Sequence, residues 1–237
     1  MTLQKRLLLK LSGESLKGDS SSHIDEKAMG RLVGHVSEAR KADCQVALVV
    51  GGGNIMRGRD LSAPGLDRAD ADYMGMLATI MNAIAVREAL QKENIPCRVI
   101  SALHMPDLCE VYSRETCLSY LEAGEVLIFG GGTGSPFFTT DTAATLRALE
   151  MNCDALVKLT KVDGVYDRDP MKEKGAKRFE RLTFQEVLVN RYAVMDATAI
   201  ALAQEGDLPV MVGSFDKQSI VAEVLQGHGS FTTIEKG

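Results

Sequence analysis

The sequence predicts an α/β fold: one domain over residues 1–237, a three-layer, open, mainly parallel sheet between helices. Three observations carry that prediction. Six runs of strand length are almost continuously apolar, which suits strands covered on both faces. Helical periodicities lie between most of them, and strands joined by crossover helices run parallel. No linker, internal repeat or break in composition divides the chain.

In chain order, "KRLLLKL" is the first run. "IDEKAMGRLVGHVSEARKA" follows, with an acidic first turn and Met29, Leu32, Val33 and Val36 at helical spacing. "QVALVV" is the second run. "ADYMGMLATIMNAIAVREALQKEN" puts Met74, Leu77, Met81 and Ile84 on one face, a core or a subunit interface, with helical spacing favouring core, and ends at "NIP", where proline stops a helix. "CRVIS" leads to the helical "SRETCLSYLEAG", closing on Gly124, and "EVLIF" leads to "DTAATLRALEMN". After "ALVKLT", the turn signals Asp163-Gly164 and Asp169-Pro170 in "KVDGVYDRDP" predict a hairpin or loop excursion. "PVMVG" and the helical "DKQSIVAEVLQGHG" complete the series.

Composition narrows the function. The net charge is −5 and no basic stripe is visible, which argues against a general nucleic-acid partner. A small anion remains open, because a few lysines and helix N-termini make a cleft locally positive. No apolar run reaches the ~18 residues of a membrane span, and "MTLQKRLLLKLSGE" lacks the form of a signal peptide. The five cysteines are scattered without C-x-x-C spacing, and the four histidines form no H-E-x-x-H. That is the pattern of reduced, buried thiols, and the expected compartment is the cytoplasm.

In parallel α/β sheets ligands sit beyond the carboxyl ends of the strands, so the residues after each run matter most. "KLSGES" puts Lys10 inside a strand before a glycine turn, which suits an anion cradle or a solvated lysine at an ordinary turn. "GGGNIMRG" allows close backbone approach, with Arg57 nearby as a guanidinium fork. "FGGGTGSPFFTTDTAATLRALE" brings three glycines, then Thr133, Ser135, Thr139 and Thr140, to the start of a helix that Thr140 or Asp141 would cap. Phe137 and Phe138 pack beneath it or flank a ring, packing being the simpler use. In "KLTKVDGVYDRDP", Lys161 supplies charge, Tyr166 can flank a base, and Asp169 suits a ribose or a metal; the alternative is a charged surface hairpin. G-x-x-x-x-G-K-[ST], G-x-G-x-x-G after a strand, H-R-D, D-F-G and G-x-S-x-G are all missing. What remains is a glycine, lysine and hydroxyl site suited to two phosphate-bearing groups.

At these residues the sequence resembles the amino acid kinase superfamily, in its bacterial uridylate (UMP) kinase branch. "KLSGE", "GGGNIMRG", "DYMGMLATIMNA", "GTGSPFFTTDTAA" and "TKVDGVYDRDP" occur in that family's order, nearly end to end. The resemblance implies transfer of the ATP γ-phosphoryl group to UMP in pyrimidine nucleotide synthesis, with Mg²⁺ carried by ATP and no protein metal ligand assigned. It implies that Lys10, Leu11, Ser12, Gly13, Gly53, Arg57, Thr160, Tyr166 and Asp169 serve ATP. Gly52, Asp72, Thr133, Gly134, Ser135, Pro136, Phe137, Phe138, Thr139 and Thr140 would serve UMP. The N-terminal part of the single domain would thus be mainly UMP-binding and the C-terminal part mainly ATP-binding. Lys10, Asp141 and Asp196 are the catalytic candidates, the two aspartates orienting Lys10 or holding the metal; Asp141 adjoins the UMP segment and has the better claim, while Asp196 in "VMDATA" is weighed against an ordinary helix cap. The resemblance further implies a homohexamer, GTP activation and UTP inhibition. Two departures bear on this: Ser135 stands where the family usually has Asn, and "GDSSSHID" replaces a glycine- and Phe-containing loop linked to GTP. The alternatives are a kinase of the same superfamily with a carboxylate or carbamate acceptor, and a non-catalytic nucleotide- or oxyanion-binding assembly.

Overall fold

The structure is a computed structural model that describes residues 5–18, 22–56 and 66–237. Among the described residues nine strands form one sheet. They are β1 (Arg6–Leu11), β2 (Gln45–Val50), β3 (Cys97–Ser101), β4 (Glu110–Val111), β5 (Val126–Gly130), β6 (Ala155–Thr160), β7 (Arg181–Thr183), β8 (Val210–Ser214) and β9 (Phe231–Glu235). The helices are α1 (Gly13–Lys17), α2 (Glu26–Lys41), α3 (Arg68–Lys92), α4 (Arg114–Glu122), α5 (Thr140–Glu150), α6 (Phe184–Asn190), α7 (Ala197–Glu205) and α8 (Ile220–Gln226). The strand order is β4-β3-β5-β2-β1-β6-β8-β9-β7. Every pairing is parallel except β8 with β9.

Six apolar runs became the six central and flanking strands, and β2 and β5 are buried at every position. Strand alternation divides the core in two. Leu7, Leu9 and Leu11 pack towards Leu32 and Val36 of α2 and Val86 and Leu90 of α3. Leu8 and Leu156 pack on the opposite face, with Ala144 and Ala148 of α5 and Ile200 and Ala203 of α7. Lys10 and Lys158 share the second face by the same alternation. His35 of α2, fully buried, donates from Nε2 to the Phe215 carbonyl at 2.9 Å and ties α2 to the end of β8.

Four expectations are revised or extended. The strands β4, β7 and β9 and the helices α1, α6 and α7 are additions to the expected elements; β4, β7 and α1, of two, three and five residues, are too short for a periodic signal. "KVDGVYDRDP" is an excursion, as expected: Tyr166 bridges Arg178 in antiparallel sense, and Phe179 N–H donates to the Val165 carbonyl at 2.8 Å. The α5 cap is Thr139, not Thr140 or Asp141: its hydroxyl accepts from the Asp141 and Thr142 amides at 3.1 and 3.2 Å. Of the predicted core face of α3, Leu77 and Met81 point outward, 44% and 57% exposed, Met74 is half-buried and Ile84 packs against the core, while Met76, Ile80, Ala83, Val86 and Leu90 are buried. This helix is apolar on all sides, so spacing names no unique face. Small residues decide it, because Gly75, Ala78 and Thr79 let the glycine loops approach.

Candidate functional site

The carboxyl ends of β1, β2, β5 and β6 meet along one edge of the sheet. The chain turns leftward from β1 to β2, β3 and β5, then returns on the other side with β6 and β8, so β1 and β6 flank the reversal point where such folds bind ligands. Lys10 and Lys158 are register partners there. Between them sits the Asp141 carboxylate, supplied by the first turn of α5. Lys10 Nζ lies 2.6 Å from Asp141 Oδ1, and Lys158 Nζ lies 2.8 Å from Oδ2. The Lys158 ammonium also donates to the Val194 carbonyl. Burial alone would raise the Asp141 pKa, but the two ammoniums hold it below its ordinary value. Burial, and then Lys10, press the Lys158 pKa down against the pull of Asp141.

One acid thus holds two bases from adjacent strands. Only one of the two lysines was expected from sequence. The signal for the second was present: "LLKLS" and "LVKLT" place lysine two residues before a hydroxyl at or just past each strand end. Lys161, the basic residue favoured instead, is exposed beyond the strand end.

Asp196 is the cap weighed against a catalytic role. Its carboxylate accepts the Thr139 hydroxyl at 2.5 Å, the Thr142 hydroxyl at 2.9 Å and the Ala199 amide at 3.1 Å. It therefore caps α7 and splints that helix N-terminus to the N-terminus of α5.

The other expected residues fall on the two sides of this centre. Towards β8, a cavity of about 630 Å³ is lined by Lys158, Thr160, Tyr166, Asp169, Asn190 and Val212, among others. Thr160 Oγ1 accepts from the Val162 amide at 3.0 Å, and the Tyr166 hydroxyl donates to Asp163 at 2.6 Å, so both residues are fixed against the excursion. Asp169 accepts from the Met171 amide at 2.9 Å and pairs with Lys172 at 3.2 Å. Towards β5, Asp72 of α3 accepts from the Phe137 amide at 2.8 Å, and the Arg68 guanidinium lies 5.1 Å from the Phe137 ring centre. Thr133 Oγ1 accepts from the Ser135 amide at 3.2 Å and donates to the Ser135 carbonyl at 3.1 Å, which closes the turn through Gly134 and Pro136. Phe137 and Phe138 are 62% and 49% exposed. They pack beneath nothing, against the simpler expectation, and Phe137 holds a φ of 72° that a bulky side chain rarely adopts.

Leu11 is buried and Ser12 caps α1, its hydroxyl accepting from the Ser15 amide at 3.1 Å. Gly52 is required by packing: a Cβ there would lie 2.8 Å from both the Ala78 Cβ and the Gly75 carbonyl of α3. Gly53, by contrast, faces open space. Arg57 lies outside the described residues.

A mainly parallel α/β sheet that gathers two lysines, a shared carboxylate, glycine turns and a helix N-terminus at its switch point defines a protein built to neutralise anionic groups. The chain belongs to the amino acid kinase family, whose model matches residues 5–214. Its similarity within that family is to uridylate kinases. It is 47% identical to the uridylate kinase of Rickettsia bellii, over 98% of this chain and 97% of that protein. It is 49% identical to the uridylate kinase of Paramagnetospirillum magneticum, over 97% and 96%. The solved UMP kinase of Ureaplasma parvum matches with a TM-score of 0.92 at 37% identity, over 98% of this chain and 99% of that one. The UMP kinase of Bacillus anthracis matches with 0.93 at 35%, over 98% and 96%.

Proposed function

We propose that this protein is a uridylate kinase, transferring the γ-phosphoryl group of Mg-ATP to UMP to yield ADP and UDP. The observation that carries the reading is the Lys10–Asp141–Lys158 centre, lying between the 630 Å³ cavity and the Asp72–Phe137 loop. The near end-to-end similarity to uridylate kinases supports the choice of acceptor. ATP occupies the cavity side, with its base and ribose among Thr160, Tyr166 and Asp169. Its phosphates run towards Lys10, Leu11, Ser12, Gly13 and Gly53, with Arg57. UMP lies against Gly52, Asp72 and the segment from Thr133 to Thr140.

A UMP phosphate oxygen forms the new bond to the γ-phosphorus as the β–γ bridging P–O bond breaks and ADP departs. Such a transfer needs alignment and charge neutralisation more than covalent help. Lys10, Lys158 and the N-terminus of α5 supply the neutralisation, and Asp141 holds both lysines in place. The attacking oxygen is already ionised near neutral pH, so no general base is needed. The donor set does not fit a protein-held divalent cation: both Asp141 oxygens face ammoniums and both Asp196 oxygens accept hydroxyl protons. Mg²⁺ therefore enters as part of the ATP substrate.

The same reading takes in a cytoplasmic homohexamer that responds to GTP and UTP and serves pyrimidine nucleotide synthesis. Among the described residues no helix is long and apolar enough to cross a membrane. The outward Tyr73, Leu77 and Met81 of α3 offer a surface for assembly.

The test is ADP release with Mg-ATP and, separately, UMP, CMP, dUMP, glutamate derivatives and carbamate, with and without GTP. Turnover is expected on UMP, and turnover on a carboxylate in its place would overturn the proposal. Asp72→Asn is expected to raise the KM for UMP about tenfold, from a lost charge-assisted hydrogen bond, with the KM for ATP little changed. Equal effects on both substrates would move Asp72 out of the UMP side.

A further inference from the structure

The glycine loop after β2 is held from behind by a buried amide ladder. Asn82 of α3, fully buried, donates from Nδ2 to the Gly51 carbonyl and to Asn54 Oδ1, each at 2.7 Å. Asn54 Nδ2 donates to Asn82 Oδ1 at 3.1 Å and to the His23 carbonyl at 2.7 Å. His23 Nδ1 donates to the Asn54 carbonyl at 2.8 Å and closes the circuit. Both amide nitrogens thus use both of their protons, and each side-chain oxygen accepts one. Such a network has few alternative arrangements at its inner end.

The ladder presses on the site. Gly13, the first residue of α1, stands so close that a Cβ there would lie 2.4 Å from Asn54 Oδ1 and 2.6 Å from the Gly53 amide nitrogen. The positions of Gly13 and Gly53, both on the ATP side of the function proposed above, are therefore set together by where Asn54 is held. Within the loop, the Ile55 and Met56 amides both donate to the Gly52 carbonyl, at 3.0 and 2.9 Å. Asn82 and Asn54 lie in the interior, but His23 is at the exposed end, in the "GDSSSHID" segment.

We infer that His23, Asn54 and Asn82 form a positioning relay for the ATP-side glycine loop, with His23 as its outer clasp. This assignment rests on the proposed kinase reading for its kinetic consequence, but not for its structural one. The clasp needs a proton on Nδ1, because its acceptor is a carbonyl. The residues from Ser22 to Asp25 are thereby wired to the phosphate side of the site, and a change in that segment reaches Gly53 without crossing the sheet.

The experiment compares wild-type protein, His23→Ala and His23→Asn by hydrogen exchange of the Ile55 and Met56 amides and by initial rates with Mg-ATP and UMP. Asparagine carries an N–H donor at nearly the position of Nδ1. His23→Ala is expected to speed exchange of those amides about fivefold, the scale of one lost hydrogen bond. It is expected to lower kcat/KM for Mg-ATP by about the same factor, leave the KM for UMP little changed, and be restored on both readouts by His23→Asn. Unchanged exchange in His23→Ala, or His23→Asn no better than alanine, would overturn the relay. Absence of UMP turnover in the wild-type protein would sink the kinase reading instead, and the exchange comparison would still decide the relay.

Discussion

Lys10→Ala is expected to lower kcat about a thousandfold, the scale of removing a preorganised charge from a transferring phosphoryl group. The fold should survive the change. Lys10 shares Asp141 with Lys158, so the carboxylate keeps an ammonium 2.8 Å away when Lys10 is removed. The methylenes of Lys10 lie in a face already filled by Leu8 and the α5 alanines. The effect should therefore fall on kcat, with KM for UMP nearly unchanged and the thermal midpoint within a few degrees of wild type. Single-turnover phosphoryl transfer measured beside thermal unfolding separates the two quantities. Unchanged turnover in Lys10→Ala would remove Lys10 from the reaction. Lys158→Ala is a useful contrast, because its ammonium also holds the Val194 carbonyl, and that variant should lose both activity and stability.

Asp141→Asn is expected to lose more than activity. The carboxylate neutralises two ammoniums whose side chains are 7% and 16% exposed, and a neutral amide leaves both nearly buried and uncompensated. Removing one partner of a buried ion pair costs about 3 kcal/mol or more, and kcat should fall by at least about a hundredfold as both lysines lose their anchor. The pH dependence carries a sign. The folded Asp141 pKa lies below its ordinary value of 3.8, so its contribution to stability is fully present above that value and fades as the pH falls through the lower folded one. The stability gap between wild type and Asp141→Asn, measured by urea unfolding at several pH values, should be constant near neutrality and narrow below about pH 4. A variant as stable as wild type at pH 7 would mean that this carboxylate does not compensate the two lysines.

Much of this architecture is legible in the chain because apolar continuity and glycine punctuation are local signals. Each central strand is a run such as "QVALVV" whose burial on both faces leaves no room for polar alternation. What escaped is what depends on register or on competition between neighbours. Lys158 becomes a partner of Lys10 only once β1 and β6 pair in parallel with those residues opposite each other. Thr139, Thr140 and Asp141 are all competent caps, and their order of preference does not decide among three adjacent candidates. The burial of α3 was misread because its apolar residues surround the helix, and the smallness of Gly75 and Ala78 outweighed the size of Leu77 and Met81. From the sequence Asp196 is a catalytic candidate or a helix cap. Its engagement with Thr139 and Thr142 arises from a contact between two helix N-termini that lie far apart in the chain.

The place of β9 in the sheet has a consequence for how the molecule is made. This strand lies between β8 and β7, and Thr232 within it accepts from the Val165 amide and donates to the Phe179 carbonyl, while the Phe231 carbonyl accepts from Arg178. The excursion that walls the large cavity is therefore fastened by residues synthesised more than fifty positions after it. On the ribosome Lys10 and the glycine loops of β1, β2 and β5 can assemble early, but the wall over the cavity stays unanchored until residues 231–235 have cleared the exit tunnel. A nascent chain of this protein would present half of its site to the cell before the other half can close.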